Sequence, residues 1–219
     1  MNKSQLLNLL YKYQWLGYTY MDPIETKNIA TDSLPNDLGS LKKVVLQCHL
    51  CDLAKTRKNV VFGEGNPNAT LMFVGEGPGA TEDETGRPFV GRAGQLLTKM
   101  IENVLEISRD EVFIANIVKC RPPNNRVPTP DEVASCIPYL FKQIEIIDPK
   151  IIVALGSTSY RHLTNDKTPI SKIRGKKLHF QNRVLIPTFH PSFLLRNPSK
   201  KKEAYEDLLT IKELLCEIS

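Results

Sequence analysis

The sequence alternates between short apolar runs and longer segments with helical periodicity. Four apolar runs predict β-strands: Ala69–Val74, Val112–Ile117, Ile151–Leu155 and Arg183–Thr188. The clearest helix start lies between the second and third runs, where Thr129 precedes Pro130 and stands three residues before Glu132. Strand–helix alternation is typical of a parallel sheet covered by helices. We therefore predict an α/β fold, a three-layer α/β/α arrangement with a central four-stranded parallel sheet.

The two ends of the chain are predicted to be helical. Leu6, Leu7, Leu10 and Tyr13 stand at helical spacing within Ser4–Leu16, and a polar, proline-containing connector follows at Asp32–Gly39. We predict an N-terminal helical extension over residues 1–40 and one domain over residues 41–219. The last helix is predicted to run from about Ser199 to Ile218, with four inward-facing side chains: Tyr205, Leu208, Leu209 and Leu215.

Composition restricts the function classes only weakly. The 219 residues include 29 Lys and Arg against 24 Asp and Glu, a net charge of +5 that is compatible with a nucleic-acid partner but does not require one. The N-terminus lacks the cleavage site of a signal peptide, and no apolar run is long enough to span a membrane. We expect a cytoplasmic protein without a membrane partner.

The chemistry-bearing residues follow the ends of the predicted strands. The segment Val74–Leu97 (VGEGPGATEDETGRPFVGRAGQLL) combines turn-forming residues with charged ones and contains Glu76 just after the first strand. Asn116 stands near the end of the second strand and His190 just after the fourth. Ligands of open α/β sheets bind beyond the carboxyl ends of the strands, so the sequence predicts a ligand site at this edge.

Four of the five cysteines are candidate metal ligands. Cys48 and Cys51 form a C-x2-C pair, and Cys120 and Cys136 follow downstream. Four thiolates in or beside loops indicate a metal site, although the spacing leaves zinc and an iron–sulfur cluster open, and buried thiols without metal are the alternative. We expect Cys216, near the end of the last helix, to be a core thiol.

These motifs together resemble family 4 uracil-DNA glycosylases, the iron–sulfur branch of the uracil-DNA glycosylase superfamily. The resemblance is carried by Gly75–Leu97, by Asn116–Pro128 (NIVKCRPPNNRVP), by Phe189–Arg196 (FHPSFLLR) and by the four cysteines. It runs from about Leu41 to the C-terminus, which makes residues 41–219 a uracil-DNA glycosylase-like domain. It implies a 4Fe–4S cluster, with zinc as the alternative, held by four ligands: Cys48, Cys51, Cys120 and Cys136.

The resemblance also implies an activity, hydrolysis of the N-glycosidic bond of deoxyuridine in DNA. The enzyme would flip the nucleotide out of the duplex, release uracil and leave an abasic site. His190 would donate a hydrogen bond to uracil O2, Asn116 would recognise the O4/N3 edge, and Phe89 would stack on the base. Among the carboxylates, Glu76 would position the water or shape the pocket.

Further site residues come from the same resemblance. Glu82 would support His190 or the catalytic geometry. Gly77 and Asn125 match positions near the substrate, and Gly77 stands where the best-known branch of the superfamily has a catalytic aspartate.

The resemblance implies DNA contacts on the last motif. Leu194 would insert where the base leaves the stack, and Arg196 would contact a phosphate, as would five other basic residues: Arg121, Arg126 and Lys200–Lys202. The expected partner is uracil-containing DNA, bound by a monomer, and a replication clamp is a candidate protein partner.

Two alternatives stay open from the sequence. One is a related glycosylase that acts on hypoxanthine or xanthine, since few pocket changes separate these activities. The other is a non-catalytic protein of the same fold that binds uracil-containing DNA.

Overall fold

The computed structural model describes residues 34–218, so the N-terminal helix predicted at Ser4–Leu16, and most of the extension predicted over residues 1–40, lie outside the described residues. Within them, one sheet has six strands: β1 Glu64–Gly65, β2 Leu71–Gly75, β3 Phe113–Asn116, β4 Ile151–Leu155, β5 Leu178–Phe180 and β6 Arg183–Thr188. Their order across the sheet is β1-β3-β2-β4-β6-β5. The chain is thus a mixed α/β protein.

The prediction of a four-stranded, all-parallel sheet is wrong in its strand count. The four predicted strands are present as β2, β3, β4 and β6, and their pairings are parallel. The structure adds β1 and β5, which pair antiparallel at the two edges. These edge strands have only two and three residues, too few for a periodic signal. The β5–β6 turn consists of Gln181 and Asn182, with Gln181 at φ +53°, and it lacks the glycine of the usual hairpin signal.

Nine α-helices connect and cover the strands within residues 34–218: α1 Leu38–Leu46, α2 Leu53–Thr56, α3 Ala80–Thr85, α4 Arg92–Met100, α5 Pro130–Ile147, α6 Gly156–Thr164, α7 Ile170–Ile173, α8 Pro191–Arg196 and α9 Lys201–Ile218. A π-helical turn at Ile101–Leu105 continues α4, and short 3-10 turns lie at Arg109–Glu111, Pro123–Asn125 and Pro198–Lys200. No helix in this part of the chain is both long and apolar enough to cross a membrane.

The predicted start of α5 is confirmed. Thr129 Oγ1 accepts the Glu132 N–H at 3.3 Å, and the Glu132 carboxylate accepts the Thr129 N–H at 2.8 Å, which closes a capping box. The helix ends at Ile147, where Asp148 adopts a left-handed conformation one residue before Pro149.

The core is divided by the sheet into two layers. Along β2, Met72 and Val74 belong to one apolar cluster while Leu71 and Phe73 belong to the other, as the alternation of side chains along a strand requires. The first cluster is covered by α5 and the second by α4 and α9. All five residues of β2 are buried, so the C-terminal ends of the parallel strands have fixed positions.

The inward face of α9 differs from the prediction. Leu208 is buried as expected, but Tyr205 is 50% exposed and Leu209 is 37% exposed. The buried stripe instead consists of Ala204, Asp207, Leu208, Ile211 and Leu214, which stand at helical spacing. An acid therefore faces the core at Asp207, and the sequence pattern alone had assigned that face to larger apolar residues.

Candidate active site

A cavity of about 550 Å³ opens beyond the C-terminal ends of the parallel strands, where the sequence predicts a ligand site. It brings together eight of the predicted site residues: Glu76, Gly77, Glu82, Phe89, Asn116, Asn125, His190 and Arg196. The N-terminus of α6 also borders it through Gly156, Ser157 and Thr158, which the sequence did not indicate.

Asn116 ends β3 at the cavity wall with a side chain that is 1% exposed. Neither its amide nitrogen nor its amide oxygen has a hydrogen-bond partner within the described residues. Gly75, its neighbour on β2, makes room for this side chain, because a Cβ at residue 75 would collide with Asn116 Oδ1 and with the Phe89 ring. Buried amides without partners are rare in folded proteins, so this one is available for a ligand.

Phe89 forms a wall of the cavity from a strained backbone. Its φ is +51°, an unusual value for a residue other than glycine, and its side chain is 6% exposed. Gly94 allows the turn, since a Cβ there would collide with the Phe89 backbone. The ring centroid lies 5.7 Å from that of His190, with the two planes tilted by 37°. Strain of this kind concentrates where a side chain is held for a ligand.

His190 follows β6 and caps the N-terminus of α8. Its Nδ1 accepts the Ser192 backbone N–H at 3.1 Å and lies 2.8 Å from the Ser192 hydroxyl. Because Nδ1 is an acceptor, the neutral ring carries its proton on Nε2. Desolvation, with a smaller contribution from the Arg196 charge and against the attraction of Glu82, lowers the pKa of His190 to about 4. The ring is therefore a neutral Nε2–H donor at physiological pH.

Glu82 is occupied by the backbone of its own loop. One carboxylate oxygen accepts the N–H groups of Val90 at 2.9 Å and Gly91 at 2.8 Å, and the other accepts that of Gly79 at 3.1 Å. These bonds close the loop around Phe89, so Glu82 fixes the position of the Phe89 ring. The negative charge of Glu82 raises the pKa of His190, against the larger lowering effect of desolvation.

Glu76 differs from Glu82 because its carboxylate has no hydrogen bond or ion pair within the described residues. It is half-buried directly after β2, and its backbone carbonyl accepts the Val118 N–H at 3.1 Å. Gly77 beside it is packed too closely for a side chain, since a Cβ would lie 2.8 Å from Val118 Cγ2. An acid with free oxygens in the cavity can hold a water molecule.

Two side chains that were expected to contact the substrate or DNA are hydrogen-bonded to other residues of the protein. Asn125, at φ +54°, accepts a 2.8 Å hydrogen bond from Arg121 Nε at the rim of the cavity. Arg126, expected at a phosphate, forms a two-bond pair with the Glu132 carboxylate at 2.6 and 2.8 Å. Arg196 is exposed and borders the cavity.

The structure contradicts the role expected for Leu194. Its side chain is 1% exposed and belongs to the second apolar cluster, so it is not at the surface where a base leaves the stack. Leu195, the next residue of α8, is partly exposed. Consecutive residues of a helix point to different faces, so Leu194 and Leu195 cannot both face the core.

A buried ionic network beneath the His190 loop was not predicted. Thr188, the last residue of β6, donates a 2.6 Å hydrogen bond to Asp207, which Arg174 also contacts at 2.7 Å. The Arg174 guanidinium lies 5.7 Å from the centroid of the Phe189 ring. The network thereby fixes the two residues that precede His190. Burial raises the pKa of Asp207, while the hydrogen bond from Thr188 and the Arg174 charge oppose that rise.

The four cysteines predicted as metal ligands line one small cavity. They are remote in sequence but adjacent in space. Two sulfurs accept hydrogen bonds at 3.2 Å, Cys120 from Arg57 Nη1 and Cys136 from the Lys119 backbone N–H. Burial raises the pKa of the Cys136 thiol to about 12, so a bound cation would be needed to keep it as a thiolate. All-sulfur donors with N–H groups aimed at them fit an iron–sulfur cluster.

No group of three or more His, Cys, Asp or Glu side chains within residues 34–218 is arranged to hold a metal ion. The fifth cysteine, Cys216, is exposed, which corrects its expected place in the core.

Comparison with known proteins identifies the family. The family model described as the uracil DNA glycosylase superfamily matches residues 62–209, and the chain belongs to that superfamily. It is 48% identical over 187 residues to the type-4 uracil-DNA glycosylase of Sulfurisphaera tokodaii, covering 82% of this chain and 85% of that protein. It is 50% identical over 175 residues to the type-4 enzyme of Thermotoga maritima, covering 78% and 91%.

A type-5 relative is more distant. The type-5 uracil-DNA glycosylase of Pyrobaculum aerophilum is 31% identical over 152 residues, covering 62% of this chain and 67% of that protein. The higher identity to the type-4 enzymes, over a larger share of the chain, confirms the resemblance to family 4.

Proposed function

We propose that this chain is a DNA repair glycosylase that hydrolyses the N-glycosidic bond of deoxyuridine in DNA. The single observation that carries the proposal is the buried Asn116 amide, which has no partner within the described residues and lines the cavity. The uracil edge presents O4 as an acceptor and N3–H as a donor, and an amide supplies one donor and one acceptor to match them. The names of the type-4 relatives support the same activity.

The remaining site residues can serve the bond cleavage. With the base stacked on Phe89, the His190 Nε2–H can donate to uracil O2 as negative charge develops there. The C1′–N1 bond breaks, its electron pair leaves with the base as a uracil anion, and C1′ acquires oxocarbenium character. A neutral donor suits this role because it strengthens as charge develops and needs no proton transfer. Water then adds to C1′, its proton leaves to solvent, and uracil is released.

We assign the water to Glu76. Of the two cavity carboxylates, Glu82 has both oxygens engaged by backbone N–H groups, whereas Glu76 has neither engaged within residues 34–218. Glu76 can therefore accept a hydrogen bond from the attacking water. Glu82 instead keeps Phe89 and the Gly-rich loop in place.

For the cysteine site we propose a 4Fe–4S cluster. Cys48 and Cys51 follow α1, Cys120 follows β3, and Cys136 lies on α5, so bonds to one cluster would join three parts of the fold. When bound, a cluster would cross-link these parts of the fold and could also transfer electrons. Monomeric state, cytoplasmic location and contact with a replication clamp stay proposals from the sequence.

The test is an excision assay with matched oligonucleotides that contain uracil, hypoxanthine, xanthine or cytosine at one position, each single- and double-stranded. We expect alkali-labile sites and free base from the uracil substrates, without strand cleavage before alkali. Product from hypoxanthine or xanthine alone would identify the related glycosylase. Binding to uracil-containing DNA without release of base would identify a non-catalytic protein.

A further inference from the structure

Lys119 lies between the two sites and belongs to neither of the sets assigned above. Its side chain is 1% exposed, and its Nζ donates to the Asn116 carbonyl at 2.9 Å and to Gln143 Oε1 at 2.5 Å. A lysine buried to this extent is rare, because its ammonium loses the hydration of water and must be compensated inside the protein.

The backbone of the same residue faces the cysteine cavity. The Lys119 N–H donates to Cys136 Sγ at 3.2 Å, its carbonyl accepts the Val61 N–H at 2.7 Å, and Cys120 is the next residue. Lys119 thus contacts a proposed cluster ligand through its main chain and the base-recognising residue through its side chain. Only two residues, Ile117 and Val118, separate it from Asn116 along the chain.

The segment between the two sites is held on both sides. Ile117 N–H donates to the Gly75 carbonyl at 2.9 Å and Val118 N–H to the Glu76 carbonyl at 3.1 Å, which extends the β2–β3 pairing past Asn116. Gln143, which accepts from Lys119, also donates to the Phe62 carbonyl at 2.9 Å. A shift of this segment would therefore move Asn116.

The ammonium has no carboxylate partner within residues 34–218. Its two hydrogen-bond acceptors are the Asn116 carbonyl and Gln143 Oε1, so the position of the ammonium depends on the end of β3 and on α5.

We propose that Lys119 is a positioning residue that links the cysteine site to Asn116, so that its loss weakens uracil recognition while the cysteine site stays loaded. The inference rests on the proposed uracil-excision function and adds to it a residue that holds the Asn116 carbonyl. Losing the Nζ–O bond leaves the end of β3 free to shift, and a misplaced amide cannot bind both O4 and N3–H.

The experiment compares Lys119→Met with Lys142→Met. Methionine keeps the length and removes the donor. Lys142 is the matched control, because it is also a buried lysine and its Nζ pairs at 2.8 Å with Glu145, away from the cavity. Three quantities are measured for the purified full chain: the iron content, the Kd of free uracil by calorimetry, and kcat and KM for uracil-containing DNA.

We expect Lys119→Met to keep the iron content of the unmodified protein while its Kd for uracil rises about tenfold, the usual effect of one hydrogen bond. Lys142→Met should keep both the iron content and the Kd for uracil of the unmodified protein. An iron-loaded Lys119→Met protein with unchanged uracil affinity would overturn the proposal. Failure of the proposed function is distinct, because then the unmodified protein itself neither binds nor releases uracil.

A second variant keeps the test decisive if Lys119→Met does not fold. Gln143→Leu removes one of the two acceptors of the ammonium without touching Asn116 or a cysteine. Its Kd for uracil should rise by a factor of about three, with iron unchanged. Unchanged affinity in this variant would contradict the link.

Discussion

The Nδ1 atom of His190 accepts the backbone N–H of Ser192 at 3.1 Å, which leaves the imidazole proton on Nε2. The sequence does not determine whether the His190 imidazole is neutral or charged. The structure answers this through two independent facts, the accepted hydrogen bond and the desolvation that lowers the pKa of His190 to about 4.

The first prediction concerns this donor. His190→Ala should lower kcat about 100- to 1000-fold, the usual effect of removing a donor to a developing anion, while the Kd for substrate DNA changes little. Single-turnover excision and equilibrium DNA binding measure the two effects. His179→Ala is the control, because His179 is exposed on β5. Equal losses in binding and turnover would contradict the role.

The pH dependence follows from the same pKa. Since His190 is neutral down to about pH 5, kcat should show no step near the ordinary histidine value of 6.5. The sign for stability is also fixed: the folded pKa lies below 6.5, so the unfolded chain binds more protons between pH 6.5 and about 4. The contribution of His190 to stability is therefore present above pH 6.5 and lost as the pH falls, and thermal unfolding of the alanine variant should lack that component.

The second prediction separates recognition from stability at Asn116. Asn116→Leu should reduce kcat/KM for uracil at least about 10-fold, while Tm stays equal or rises, because a buried polar group without partners is removed. The comparison is Ile114→Ala on the same strand, which should cost about 2–5 kcal/mol of unfolding free energy and spare the amide. A clear drop in Tm for Asn116→Leu would show that the amide has a partner in the folded protein.

The third prediction tests whether Glu82 acts through its loop. Glu82→Gln places an NH2 group against backbone N–H groups and should increase hydrogen exchange at Val90 and Gly91 together with a loss of kcat. Glu84→Gln is the control, since Glu84 is exposed and makes one ion pair with Lys58. Loss of activity without any change in exchange would favour direct contact between Glu82 and the substrate.

The fourth prediction concerns the cysteine site. Cys120→Ser should lose iron and the visible absorbance of an iron–sulfur protein, and it should lower Tm because bonds between separate parts of the fold are removed. Cys216→Ser should keep all three properties, since Cys216 is exposed and lies outside the cavity. Stoichiometric zinc without iron in the unmodified protein would contradict the cluster proposal and identify zinc as the bound metal.

Sequence patterns predicted the features that depend on periodicity. Buried parallel strands are continuous apolar runs, so β4 and β6 were predicted with their observed bounds. The position of Asn116 at a strand end was enough to place its amide in the cavity. Strand β1 was missed because it has two residues and owes its place to pairing with β3.

Residues whose role depends on tertiary contacts could not be predicted in this way. Asp207 looks like any other acid on a charged helix, and only the fold places it against Thr188 and Arg174. Lys119 looks like a DNA-binding lysine, yet it is buried. Glu82 was the exception with a usable signal, because an acid three residues after Gly79 at a helix start is the spacing of a capping box.

The fifth prediction follows from the corrected position of Leu194. Leu194→Ala should lower the unfolding free energy by about 2–5 kcal/mol, because a side chain that is 1% exposed leaves a cavity in the core. Leu195→Ala should leave stability nearly unchanged and reduce excision from double-stranded DNA more than from single-stranded DNA, because only a duplex must be unstacked. Excision rates on matched single and double strands, with Tm for both variants, measure these effects. An equal reduction on both substrates by Leu195→Ala would mean that another side chain fills the space left by the flipped base.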